Sequence, residues 1–291
     1  MDTSELSVKN TKNSRQFLIN CQGKLLTLQS PVVMGIINNT SDSFYDGGKY
    51  KSDKEILSHI EKMLSEGAAI IDIGAVSTRP GATPIDEKEE IAKLLPLIRA
   101  SIKEFPEIIL SVDTFHSGVA KAVVEAGAHI INDVSGGNMD DKMFETVAEL
   151  KAPYIIMHMQ GTPATMQKNP HYENVMNDLR KFFLDKINDL KAYGVNDIII
   201  DPGFGFGKTV EHNYEILNNL EYFKAFDMPL MVGVSRKSMI NHVLNTKPEE
   251  ALNGTTVANT IALLKGADIL RVHDVKEAIE VVKIVNALLT A

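Results

Sequence analysis

Along this 291-residue chain, short apolar runs break off into residues that can bind or react. The first run ends in Asn38 and opens into a polar loop, 39–48, that holds Phe44 and Asp46. The second leads into 74–81, with Thr78, Arg79 and Pro80. Later runs end in Asp113, in Asn132-Asp133, in His158 with Gln160, and in Asp201 followed by the glycine-rich 203–208. The last two end in Ser235-Arg236-Lys237-Ser238 and in Arg271-Val272-His273-Asp274. Carboxylates (Asp113, Asp201) and amides (Asn38, Asn132) can meet the N–H edge of a heterocycle. Arg79, Lys237, Arg271 and His273 can hold an anion. Unpaired polar groups in a protein interior are costly, so such a set either pairs internally or binds a ligand. Taken together, the set suggests one compact ligand, a planar polar ring with a phosphate-like tail.

Two other motif readings fail. Gly203-Phe204-Gly205-Phe206-Gly207-Lys208-Thr209 ends like a nucleotide-binding P-loop, but the required first glycine falls on Pro202. These glycines read instead as a turn of positive-φ positions that lets Phe204 or Phe206 approach a ligand. The eight histidines show no close metal-ligand spacing, and His59, His116, His129, His212 and His242 read as surface or packing residues.

Eight near-continuous apolar runs must position these residues: 32–37, 69–73, 108–112, 129–131, 154–157, 197–200, 230–234 and 269–272. Such runs mark parallel strands covered on both faces. Helix-period segments alternate with them. One starts at a possible capping box, Ser52 with Glu55, and closes at Gly67. The others are 87–102, 117–125, 140–150, 172–193, 211–223, 238–244, 255–264 and 275–289. Eight βα units without an intervening linker predict an α/β chain folded as one (β/α)8 TIM barrel over 16–291, in preference to a doubly wound sheet. In a barrel the loops after every strand share one face, so the polar strand ends converge. Phe17–Ile19 and Leu25–Leu28, flanking Asn20–Gly23, predict an N-terminal β-hairpin at one barrel end. Residues 1–15 are expected to be a flexible segment.

Composition narrows the classes. Lysine and arginine total 30 against 38 aspartates and glutamates, a formal charge of −8. That argues against nucleic-acid binding through bulk charge. The hydrophobic fraction of 44% suits a large core rather than a disordered chain. One cysteine, Cys21, excludes an intrachain disulfide and points to a reducing, cytoplasmic compartment. No apolar run is long enough to cross a membrane, and the polar start lacks a signal-peptide core.

The strand-end segments, in order, resemble the dihydropteroate synthase family of folate biosynthesis. Met34-Gly-Ile-Ile-Asn38-Asn-Thr-Ser-Asp-Ser-Phe-Tyr-Asp-Gly-Gly48 is similar to its first signature and Ser77-Thr-Arg-Pro-Gly81 to its second loop. The segments 111–114, 131–137, 157–163, 201–208, 235–238 and 271–273 resemble the rest, from about residue 16 onward. The resemblance implies condensation of 6-hydroxymethyl-7,8-dihydropterin pyrophosphate with p-aminobenzoate through an SN1-like path, giving 7,8-dihydropteroate and pyrophosphate. Such chemistry needs leaving-group stabilisation and orientation more than a strong base.

By the same resemblance, Asp113, Asn132, Asp201, Lys237 and Arg271 hold the pterin. Asn38, Thr78, Arg271 and His273 take the pyrophosphate, with Asn38 as the Mg²⁺ ligand. Phe44, Thr78, Pro80, Phe206 and Ser238 line the p-aminobenzoate pocket. Asp46 and Arg79 close mobile loops over the reacting centre, acting with Lys237 and Arg271 in catalysis. The family resemblance also implies a homodimer built from the late helices. Asn39, Ser41 and Tyr45 depart from the family's usual Val, Pro and Ser, and Ala75-Val76 stands where Gly-Glu is common. Losing the proline should free the first loop. A related pterin-binding barrel, the methyltetrahydrofolate–corrinoid methyltransferase, would share the Asp and Asn contacts but would not need 77–81, 235–238 or Arg271-x-His273. A pterin-binding protein without catalysis would not need them either.

Overall fold

The computed structural model describes residues 16–38, 53–74 and 85–291. The expected flexible segment 1–15, the loops bearing Phe44, Asp46, Thr78, Arg79 and Pro80, and Ser52 of the expected capping box lie outside the described residues.

Strands β1 (Phe17–Cys21) and β2 (Lys24–Leu28) form the expected antiparallel hairpin. Both strands are longer than the sequence pattern indicated, because Gln22 and Gly23 make the turn alone with φ of 53° and 93°. Positive φ at both central residues matches the right-handed twist of the paired strands.

The barrel then runs β3 (Val32–Asn38), α1 (Asp53–Glu66), β4 (Ile70–Gly74), α2 (Glu87–Glu104), β5 (Leu110–Asp113) and α3 (Ser117–Glu125). It continues with β6 (Ile130–Asp133), α4 (Met143–Leu150), β7 (Tyr154–Met157), α5 (Val175–Ala192), β8 (Ile198–Asp201) and α6 (Val210–Asn218). The last units are β9 (Met231–Val232), α7 (Ser238–Leu244), α8 (Leu252–Leu264), β10 (Ile269–Val272) and α9 (Val275–Thr290). Strands β3 to β10 are all parallel, in the order β8-β7-β6-β5-β4-β3-β10-β9. A parallel bridge between Ile200 and Leu230 closes the seam. The fold is therefore the expected (β/α)8 barrel with an N-terminal hairpin.

Helix starts depart from the expected ones where side chains cap earlier turns. Asp140 accepts from the Ser117 and Lys142 backbone N–H groups, so α4 begins only at Met143. Asn174 caps α5 by accepting from Asn177 N at 2.9 Å. The expected helix 211–223 breaks at Asn219, and a 3-10 turn, Leu220–Phe226, follows.

Strand parity sorts the interior. Residues facing the helices, such as Val33, Ile71, Leu110, Ile131, Ile156, Ile200 and Leu270, join one large core. The opposite parity faces the barrel axis. Its lower layer, Met34, Ile70, Ile130, Ile155, Ile199, Met231 and Ile269, packs with Ile19, Cys21, Leu26 and Leu28 of the hairpin. The hairpin is thus an apolar plug in the N-terminal end. Two residues further along four of these strands, the same parity carries Asp72, Asn132, Asp201 and Arg271. Period-two alternation makes this switch possible without disturbing the outer core.

Candidate active site

The polar layer above the plug is cross-linked by charge. Arg271 donates through Nε to Asp72 Oδ2 at 2.7 Å and through a terminal nitrogen to the same oxygen at 2.6 Å. That terminal nitrogen also reaches Asp113 Oδ2 at 3.2 Å. Asn132 Nδ2 donates to Asp72 Oδ2 at 3.1 Å. One guanidinium therefore serves two buried carboxylates. Burial, opposed by Arg271 and reinforced by Asp72, Glu90 and Asp133, pushes the Asp113 carboxyl up to about 8. Asp72 is fully buried, and its Oδ1 has no hydrogen-bond partner among the described residues.

Asp201 ends β8 and accepts from Gly203 N at 2.8 Å. Burial raises its carboxyl, while Lys237 and Arg271 pull it back. Lys237 donates to the Phe204 carbonyl, and its Nζ lies 4.8 Å above the centre of the Phe206 ring. Burial lowers the Lys237 ammonium to about 8, against the attraction of Asp201. Phe206 is half-buried and belongs to an apolar wall with Phe115, Val134, Met157, Met159 and Met166. Of the two phenylalanines expected to approach a ligand, only Phe206 lies there; Phe204 is fully buried in the outer core.

The loop after β9 turns at Arg236, whose φ is 56°. Its guanidinium makes a bidentate pair with Asp274 at 2.8 Å and donates to the carbonyls of Pro248 and Glu249. This fixes the turn between two expected site segments. Ser235 Oγ lies 3.0 Å from His273 Nδ1 and accepts from His273 N. Ser238 begins α7, as expected, and is exposed. Asn38 ends β3 opposite Gly74 and is half-buried.

The structure brings together Asp113, Asn132, Asp201, Lys237 and Arg271, with His273 alongside through Ser235. Asp133 does not belong with them. It has the opposite parity and accepts from Tyr154 Oη at 2.6 Å and from Ser135 N and Gly137 N. His158 is likewise turned away, toward Lys208. The histidines expected to be structural include His129, whose Nδ1 accepts from Leu110 N, and His116, which pairs with buried Glu90 at 2.7 Å. Sequence reading missed Asp72 and the fixing role of Arg236. A lone carboxylate of inward parity within Ile70-Ile71-Asp72-Ile73 was the available signal for the first.

A closed (β/α)8 barrel with buried carboxylates, an amide and two cations around its mouth, beside an apolar wall, defines an enzyme pocket for a flat, polar, anion-bearing ligand. The family described as pterin binding enzyme matches residues 34–273. Dihydropteroate synthase of Escherichia coli strain K12 is 43% identical over 272 residues, covering 93% of this chain and 96% of that protein. The structure of Yersinia pestis dihydropteroate synthase with a sulfonamide drug superposes with a TM-score of 0.91 at 42% identity, covering 94% of this chain and 100% of that one. Dihydropteroate synthase from Xanthomonas albilineans in complex with 7,8-dihydropteroate gives 0.84 at 33% identity, with coverage of 94% and 100%. The chain belongs to the pterin binding enzyme family, within its dihydropteroate synthases.

Proposed function

We propose that the chain is a transferase that condenses 6-hydroxymethyl-7,8-dihydropterin pyrophosphate with p-aminobenzoate, giving 7,8-dihydropteroate and pyrophosphate in folate biosynthesis. The observation that carries this reading is the inward layer of Asp72, Asp113, Asn132, Asp201 and Arg271 held above an apolar plug. A flat ring with an amino group and ring N–H atoms supplies further donors to these carboxylates, beyond Arg271, Asn132 and Gly203 N. The corrinoid methyltransferase reading is not favoured: dihydropteroate synthases are among the relatives that match across nearly the full chain.

In this reading Asp113, Asn132 and Asp201 bind the pterin edge, Lys237 orients its carbonyl side, and Arg271 lies over the ring. The bond from the pterin CH₂ to the pyrophosphate oxygen breaks, and its electron pair leaves with pyrophosphate. The neutral amine of p-aminobenzoate forms the new C–N bond and then loses a proton to solvent. Arg271 and His273 stabilise the leaving group, as would Thr78 in its loop. Phe206 and Ser238 flank the aminobenzoate, with Phe44, Thr78 and Pro80, while Asp46 and Arg79 shield the carbon from water.

Asn38 fits Mg²⁺ as a lone protein ligand. It offers a hard amide oxygen at the strand end, and no cluster of three or more acidic, histidine or cysteine ligands occurs among the described residues. When bound there, the metal would neutralise pyrophosphate charge. A homodimer is supported by exposed apolar stripes, Val257, Ile261 and Leu264 on α8 with Ile284 and Leu288 on α9. Light scattering should give twice the chain mass; a monomer would remove this reading. The sole cysteine, buried and unpaired, supports a cytoplasmic setting.

The test is turnover. With Mg²⁺ and both substrates, purified protein should release 7,8-dihydropteroate and pyrophosphate in equal amounts. Absence of dihydropteroate would sink the proposal.

A further inference from the structure

The glycine-rich loop 203–208 ends like a phosphate-binding loop, yet its lysine does not point at a ligand. Lys208 is only 3% exposed. Its Nζ folds back and donates to the carbonyls of Gly203 at 2.9 Å, Phe206 at 3.0 Å and His158 at 3.1 Å, with His158 Nδ1 at 3.0 Å. A phosphate loop aims backbone N–H groups at an anion. Here the polarity is inverted, and carbonyls converge on an internal cation.

We propose that Lys208 is a positioning residue for the pterin pocket, acting as a built-in ammonium ion that shapes the loop from behind. The inference rests on the pterin reading of that pocket. Three carbonyl oxygens can only accept, and a charged ammonium offers three N–H donors, so the cage favours the charged form. Burial pushes that ammonium pKa well down, the nearby Asp201 carboxylate opposes the shift, and the Lys237 charge adds to it. His158 Nδ1, 3.0 Å away, lies against the same nitrogen and, beside an ammonium, can only share one of its three N–H groups. Burial and the Lys208 charge hold its imidazole well below the usual histidine range.

The cage dictates where the remaining loop groups point. With the Gly203 and Phe206 carbonyls turned inward, the Phe204 carbonyl faces Lys237 and the Phe206 ring lies under the same ammonium. Gly203 N is left to donate to Asp201. Gln167 takes the Gly205 carbonyl, Tyr172 the Gly207 carbonyl and Asn213 the Gly205 N–H. Gly203 and Gly207 have φ of 71° and 62°, and a Cβ there would collide with the carbonyl oxygens of His158 and Gln160 respectively. The loop therefore sits directly on the segment after β7, and Lys208 ties the two together.

The test is chemical rescue. In K208A the missing atoms amount to propylammonium. Affinity for 6-hydroxymethyl-7,8-dihydropterin, measured by calorimetry, should fall at least about tenfold, with a matching rise in the KM of the pterin substrate. Added propylammonium should recover it, while 1-propanol should not. Unchanged affinity in K208A, loss without recovery by the amine, or equal recovery by the alcohol would each overturn the inference. Should K208A fail to fold, the wild-type protein decides. A Lys208 ammonium resonance protected from solvent exchange should persist in ¹⁵N-resolved spectra at neutral pH, and its absence would contradict the caged cation. Failure of the wild-type protein to bind the pterin would instead strike the pocket assignment.

Discussion

The two ends of the barrel are built from the same strands and the same parity, yet they hold opposite contents. At the N-terminal end, seven inward side chains are apolar and pack against the β1–β2 hairpin. At the C-terminal end four of the next inward positions are Asp72, Asn132, Asp201 and Arg271, and Arg271 and Asn132 both donate to Asp72. Apolar burial at the first end stabilises the fold. Buried charge at the second does not contribute stability in the same way, because desolvation offsets much of the Coulomb attraction. Stability and function are thus stacked along one axis, with the hairpin as foundation and the polar layer as working surface.

Arg271 should break this separation most severely. It both pairs with Asp72 and faces the pocket, so Arg271→Ala leaves a buried carboxylate uncompensated. We expect about 3 kcal/mol lost in denaturant unfolding, and a drop in kcat/KM of at least about tenfold besides. Ile199→Ala, in the plug, should cost about 3 kcal/mol of stability by opening a cavity, with near wild-type turnover in the folded fraction. A collapse of kcat/KM there would join the two ends. Lys237→Ala should show the converse, about 1.4 kcal/mol of transition-state stabilisation lost with a smaller fall in melting temperature than Ile199→Ala.

A further expected effect concerns pH. Asp113 titrates near 8 in the folded protein, against 3.8 as the ordinary value. Between pH 5 and 7.5 the folded state keeps a proton that the unfolded chain has released. Stability contributed by this group therefore falls as pH rises toward 8. Lys237, lowered to about 8, remains largely protonated through most of this window. Asp113→Asn should erase the slope, so its melting temperature should gain on the wild type steadily from pH 5 to 7.5. Parallel curves would show that Asp113 is already ionised in the empty pocket.

Much of this was legible in the sequence, since strand and helix contents follow periods of two and 3.6. The eight apolar runs lie at the eight strands, and 117–125 and 238–244 match α3 and α7 at both ends. Asn38, Asp113, Asn132, Asp201 and Arg271 were identifiable because each ends or interrupts an apolar run. Asp72 interrupts a run in the same way and was missed; its role shows only in the fold, through a partner, Arg271, 199 positions away. Asp133, noted only as a strand end, faces away from Asn132 because adjacent strand residues face opposite sides, and run ends alone do not set parity. Arg236 and Lys208 carried no assigned role in the sequence. Only the folded loop shows their charges turned inward, onto Asp274 in one case and onto backbone carbonyls in the other.

The central claim, that the inward polar layer is the pterin seat, is tested most directly by a crystal structure with 6-hydroxymethyl-7,8-dihydropterin bound. The account predicts the ring above the plug, its amino and N–H edge within hydrogen-bond distance of Asp113, Asn132 and Asp201, and Arg271 across its face. A ring bound elsewhere, or one whose donor edge faces away from those carboxylates, would contradict it.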